Sequence, residues 1–167
     1  MAASTGTSTF CPRLTSTAGT GTFWTDTIGT SAVAAIPDGD PVPLPGTPWS
    51  VRPAAGPAAR PAVEIYAAGT MVDVMVAPAL APRVLRGACS LGWVDQPCAM
   101  AWGFLPARPG FSVWFTRGPA RSRCLAAAVC VIAGSFWIAP AEGRFREVTV
   151  QHGGGRDRCR VRAARPC

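Results

Sequence analysis

Residues 124–140 read CLAAAVCVIAGSFWIAP, a run of 17 residues without one charged side chain. Such a run leaves water when the chain folds, and two environments accept it. A membrane-spanning helix needs about 20 apolar residues and tolerates about 17, so the run sits at the short limit. Arg121 and Arg123 precede it and Arg144 and Arg146 follow it, so basic flanks choose no orientation across a bilayer. Gly134-Ser135 lies in its middle and reads as a turn between two buried strands, 129–133 and 136–139. These strands are β-branched where a sheet core wants it. Buried strands are the reading adopted. The rival is a small single-pass or membrane-associated protein anchored by residues 124–140, with the four flanking Arg at the lipid headgroups.

Elsewhere the apolar residues also follow the period of a strand. Val63-Glu64-Ile65-Tyr66 alternates, and 71–76 puts Val72, Val74 and Val76 on one face. Ala68-Gly69-Thr70 between them is a turn, which gives a hairpin. Residues 79–86 read as a short helical turn ended by Gly87, and 92–109 as a loop-rich stretch. Residues 111–115 form a strand with Phe111, Val113 and Phe115 inward. Segments 144–150 and 156–162 flank Gly153-Gly154-Gly155, whose freedom at positive φ permits a hairpin return. Six or seven short strands punctuated by Gly and Pro predict a mainly β fold, a small antiparallel sandwich or barrel over 61–167. Its expected core includes Val72, Val74, Val113, Phe115, Val131, Ile132 and Val148.

The first 60 residues are different. Ten of the first 30 are Thr, and seven Pro fall between Pro41 and Pro61. Thr favours extended chain, and 21–28 has the look of one strand. Pro fixes φ and removes a donor, so 41–61 is expected as an extended linker or surface loop, not a helix or central strand. Residues 1–60 are thus expected as a Thr/Ser/Gly/Pro-rich arm and linker, partly disordered. The N-terminus lacks the charged start and apolar core of a signal peptide, so the expected location is intracellular or a virus particle.

All 16 basic residues are Arg, and the net charge is +7. Residues 1–110 balance six Arg with six acids, whereas 111–167 hold ten Arg against three. The excess culminates at 156–162, where Arg156, Arg158, Arg160 and Arg162 alternate and share one face of a strand. Such a row calls for an anionic partner. Lys and Asn are absent and Tyr occurs once, the signature of a GC-rich gene. An unselected reading frame without evolved function is therefore a second alternative. Codon bias explains a count of Arg but does not require alternation.

The chemistry of catalysis is sparse. His152 is the one histidine and stands beside a glycine run, where it reads as a hairpin tip. The seven Cys include no C-x-x-C pair, so no zinc knuckle is expected. Reduced, buried thiols are the default, and Cys89 with Cys98 is the simplest oxidised pairing. Asp38 and Asp40 form the closest acid pair and lack the further oxygen ligands of a calcium loop. The glycine run leads into an alternating basic segment instead of a helix, which argues against a phosphate loop. Neither a metal, a cofactor nor an enzymatic activity is expected.

Of six Trp, Trp114 and Trp137 are assigned to the core, while Trp93 and Trp102 are the candidates for stacking on a base or partner. The expectation is a non-catalytic binding or structural protein. Its C-terminal Arg hairpin, with Arg144, Arg146, Arg156, Arg158, Arg160 and Arg162, contacts nucleic acid or another polyanion. A virus particle or nucleoprotein assembly, with copies of the chain as neighbours, fits that chemistry.

Overall fold

The computed structural model describes residues 39–78, 80, 83–92, 96–118 and 124–164. The reading of 21–28 as a strand, and most of the N-terminal arm, lie outside these residues. The described chain is mainly β and is built as three stacked sheets.

The central sheet explains the apolar runs. It contains β5 (Leu85–Leu91), β6 (Cys98–Phe104), β9 (Cys130–Ile132), β10 (Phe136–Glu142) and β13 (Arg162–Ala163), in the order β13-β5-β6-β10-β9. The pairs are antiparallel except β13 with β5. A sheet covered on both faces reads as continuous apolar sequence. β6 and β10 accordingly bury nearly every residue. Thus 124–140 supplies β8 (Cys124–Ala127), β9 and most of β10, as strands. No helix among the described residues is long and apolar enough to cross a membrane.

The outer sheets are β1 (Val42–Pro43), β2 (Trp49–Ala55), β3 (Pro61–Ala67) and β4 (Thr70–Val76) on one side. On the other side lie β7 (Phe111–Thr116), β8, β11 (Glu147–His152) and β12 (Gly155–Arg160), in the order β12-β11-β7-β8. Strand alternation in the central sheet feeds two cores. Cys98, Met100, Trp102, Phe136 and Ile138 meet Trp49, Val51, Val63, Ile65 and Met75 of the first sheet. Ala99, Ala101, Trp137 and Ala139 meet Val113, Phe115, Val148 and Val150 of the third. Small Ala side chains on this second face leave room for Phe115, Trp137 and Phe145.

Two hairpins form as their turns predict. Ala68 and Gly69 join β3 to β4, and Ala133, Gly134 and Ser135 join β9 to β10, with positive φ at the first two residues of each connection. That combination matches the right-handed twist of paired strands. Four of the expected core residues, Val113, Phe115, Ile132 and Val148, are buried. Val72 and Val131 are half-buried.

Several expectations are corrected. Residues 49–55, expected as linker, form β2, which lies between β1 and β3 and buries Trp49 and Val51. The strand tolerates Pro53 because β1 pairs only with Ser50 and Val51. At Pro53 the strand has β3 on one side only, so no ladder bond is lost there. Val74 is exposed, and Met75 is the buried residue of β4. The register sets Met75 and Asp73 opposite the inward Val63 and Ile65. Asp73 tolerates the inner side because it accepts the Trp102 indole N–H at 2.8 Å and faces Arg86 at 3.4 Å. The stretch 92–109, expected as loop, contains the central strand β6, and Leu85 and Arg86 open β5 instead of closing a helical turn. Cys89 and Cys98 are free thiols, since the register pairs them with Met100 and Leu91.

Candidate polyanion-binding face

The Arg row belongs to a regular hairpin. β11 and β12 pair from Glu147 with Arg160 to His152 with Gly155, leaving Gly153 and Gly154 in the turn. Gly155 takes φ 137°, a value closed to most side chains. The tip is further held by the Gly154 N–H, which donates to His152 Nδ1 at 3.2 Å.

β12 divides by face, as its alternation requires. Asp157 and Cys159 turn inward. An Asp157 carboxylate oxygen accepts the Leu85 N–H at 3.1 Å, tying the hairpin to β5 of the central sheet, and lies 3.9 Å from His152 Nε2. Cys159 packs against the second core, and burial pushes its thiol up to about 11. Arg156, Arg158 and Arg160 turn outward and are exposed. The fourth expected member leaves the row. After β12 the chain breaks at Val161, whose N–H donates to Arg146 O, and Arg162 is placed on β13 at the edge of the central sheet.

Ladder registers show what shares the outer face. Gln151 lies between Ser112 and Arg156. Thr149 lies between Trp114 and Arg158, and Glu147 between Thr116 and Arg160. Together with Arg146, Phe145 and Val161 these side chains, Ser112 excepted, bound an open depression of about 850 Å³. Arg144 is exposed in the β10–β11 connection but does not line it. The floor of the depression is therefore polar, with one indole and the Glu147 carboxylate, and its rim along β12 is basic.

The charges are unequally committed. Arg158 meets Glu147 at 3.2 Å, while among the described residues Arg156 and Arg160 take part in no ion pair. Three Arg elsewhere, Arg52, Arg86 and Arg117, are engaged within the fold. Arg52 donates to Glu64 at 2.6 Å, and Tyr66 donates to the same carboxylate oxygen at 2.6 Å. The Arg52 hydrogen bond, then that of Tyr66, holds Glu64 below the usual carboxylate range. Arg86 faces Asp73, and Arg117 lies over the Phe145 ring at 5.2 Å. The hairpin is where guanidinium groups point outward together.

The stacking residues differ from expectation. Trp102 is 4% exposed, with its N–H spent on Asp73, so it is a core residue on β6. Trp93 lies outside the described residues, as do Arg121 and Arg123. Trp114, assigned to the core from sequence, is 38% exposed on the same face as the Arg row. Its indole N–H donates to Ser112 Oγ at 3.0 Å, which leans the ring along β7. The signal for this was present: with Phe111, Val113 and Phe115 inward, period two turns Trp114 out. Trp137 is buried as expected, with its N–H shared between Val84 O and Phe104 O. Among the described residues no three His, Cys, Asp or Glu side chains group as a metal site requires. No family model, curated protein or solved structure matches this chain.

Proposed function

We propose that this is a non-catalytic binding protein whose third sheet contacts a polyanion through its outer face, nucleic acid being the first choice. The observation that carries the reading is the outward row Arg156, Arg158 and Arg160 on one strand, with Arg146 on the same rim. Alternate residues of a strand repeat at about 6.6–6.8 Å. Successive Arg of the row are therefore far enough apart to meet separate phosphates of a strand that runs along β12. Guanidinium suits the task because its planar fork bonds phosphate through two N–H groups. Like charges held this close repel one another, and an anion relieves that repulsion.

β12 is also an edge strand. Its charge blocks pairing with another sheet, which leaves side chains, not backbone, as the means of contact. The test is the salt dependence of binding to a labelled oligonucleotide. Binding is expected to weaken with salt at a log–log slope of about −0.7 per phosphate on a single strand. Replacing Arg156, Arg158 and Arg160 by Ser is expected to flatten the slope by up to about 2. An unchanged slope overturns the assignment.

A further inference from the structure

We infer that the ligand of this face is single-stranded nucleic acid, with an unpaired base stacked on Trp114 while the backbone follows the β12 row. This inference rests on the proposed polyanion face and adds the class of strand it accepts. Trp114 stands one strand beyond β11, in the row that runs Trp114, Thr149, Arg158 across the sheet. Neighbouring strands are about 4.8 Å apart, so the Trp114 and Arg158 backbones lie roughly 10 Å apart. An Arg side chain and a nucleotide's own width together span that gap.

A duplex offers phosphates and groove edges, but its base faces are already stacked on each other. Only an unpaired base presents a face to an indole. The rest of the floor fits the same ligand. Thr149 and Gln151 give hydrogen-bonding groups beside the indole. The one acid of the depression, Glu147, is met by Arg158. The Ser112 hydrogen bond holds the ring in place before binding, so less ordering is required of it. The sequence tolerance of stacking predicts weak base preference.

The experiment titrates the full chain with a labelled 12-mer single strand and with the matching duplex, using wild type, Trp114→Ala, Trp114→Phe and the triple Ser variant. Stacking on one aromatic ring is worth about 1–3 kcal/mol per base, so Trp114→Ala should weaken single-strand binding about 5- to 150-fold. Its duplex affinity and salt slope should not move, and Trp114→Phe should keep most of the single-strand affinity. Equal loss for both ligands, no loss for either, or a duplex bound as tightly as the single strand by wild type overturns the inference. If the triple Ser variant flattens the slope while Trp114→Ala changes nothing, stacking fails and the polyanion face stands. If the triple variant leaves the slope intact, the underlying face fails. A thermal melt of each variant confirms the fold, and Trp114→Leu, which keeps apolar bulk without an aromatic face, carries the comparison should the Ala variant unfold.

Discussion

At Gly103 an added Cβ would stand 1.8 Å from Val84 O and 2.9 Å from the Trp137 ring. That carbonyl accepts both the Phe104 N–H and the Trp137 indole N–H, so it is fixed from two sides. Gly103→Ala is expected to lower stability by about 1–3 kcal/mol or more, read as a fall in the urea midpoint. The Arg52–Glu64–Tyr66 cluster makes a prediction in pH. Glu64 is held below its ordinary range in the folded protein, so its contribution is present above the unfolded value and lost as pH falls through the lowered one. Glu64→Gln should therefore cost stability at neutral pH, and the gap to wild type should close in acid. A gap that persists unchanged in acid would assign the cost to packing. Burial likewise pushes the Cys89, Cys98 and Cys159 thiols up, so each stays protonated near neutrality. Pulse alkylation followed by peptide mapping should find these three protected until the protein unfolds.

At the scale of the element, the sequence was legible where alternation and turn chemistry agreed. The hairpin from β11 to β12 needed only its alternating residues and the Gly run, and β7 needed only Phe111, Val113 and Phe115. Legibility failed where tertiary partners override local pattern. Three Val at alternate positions of β4 resemble an inward face, but Asp73 takes that side because the Trp102 N–H waits there. Pro53 reads as a breaker, and its strand survives because β1 is too short to require a donor at that position. β6 was hidden by its composition. Ala and Gly at 99, 101 and 103 carry little strand propensity, and they are chosen for close approach between layers. The candidate face was half legible. Its Arg row followed from period two, but the break at Val161 that removes Arg162 needed the third dimension.

For the whole molecule, three layers give one sheet whose middle strands β6 and β10 are covered on both faces and two sheets that present outer faces. The first sheet spends its outer charge internally, in the bonds of Arg52 to Glu64. The third leaves its basic rim open beside Trp114. Four of the ten Arg after residue 110, Arg146, Arg156, Arg158 and Arg160, line that face. The most direct test compares two charge-matched variants in oligonucleotide binding at one low salt concentration. One changes Arg156, Arg158 and Arg160 to Ser. The other changes Arg60, Arg83 and Arg108 to Ser, all exposed and none lining the depression. Both variants carry the same net charge. Only the first removes groups that neutralise phosphates directly, so its binding should fall at least about tenfold further than that of the second. Equal weakening would mean that net charge alone attracts the ligand, and would contradict the assignment of this face.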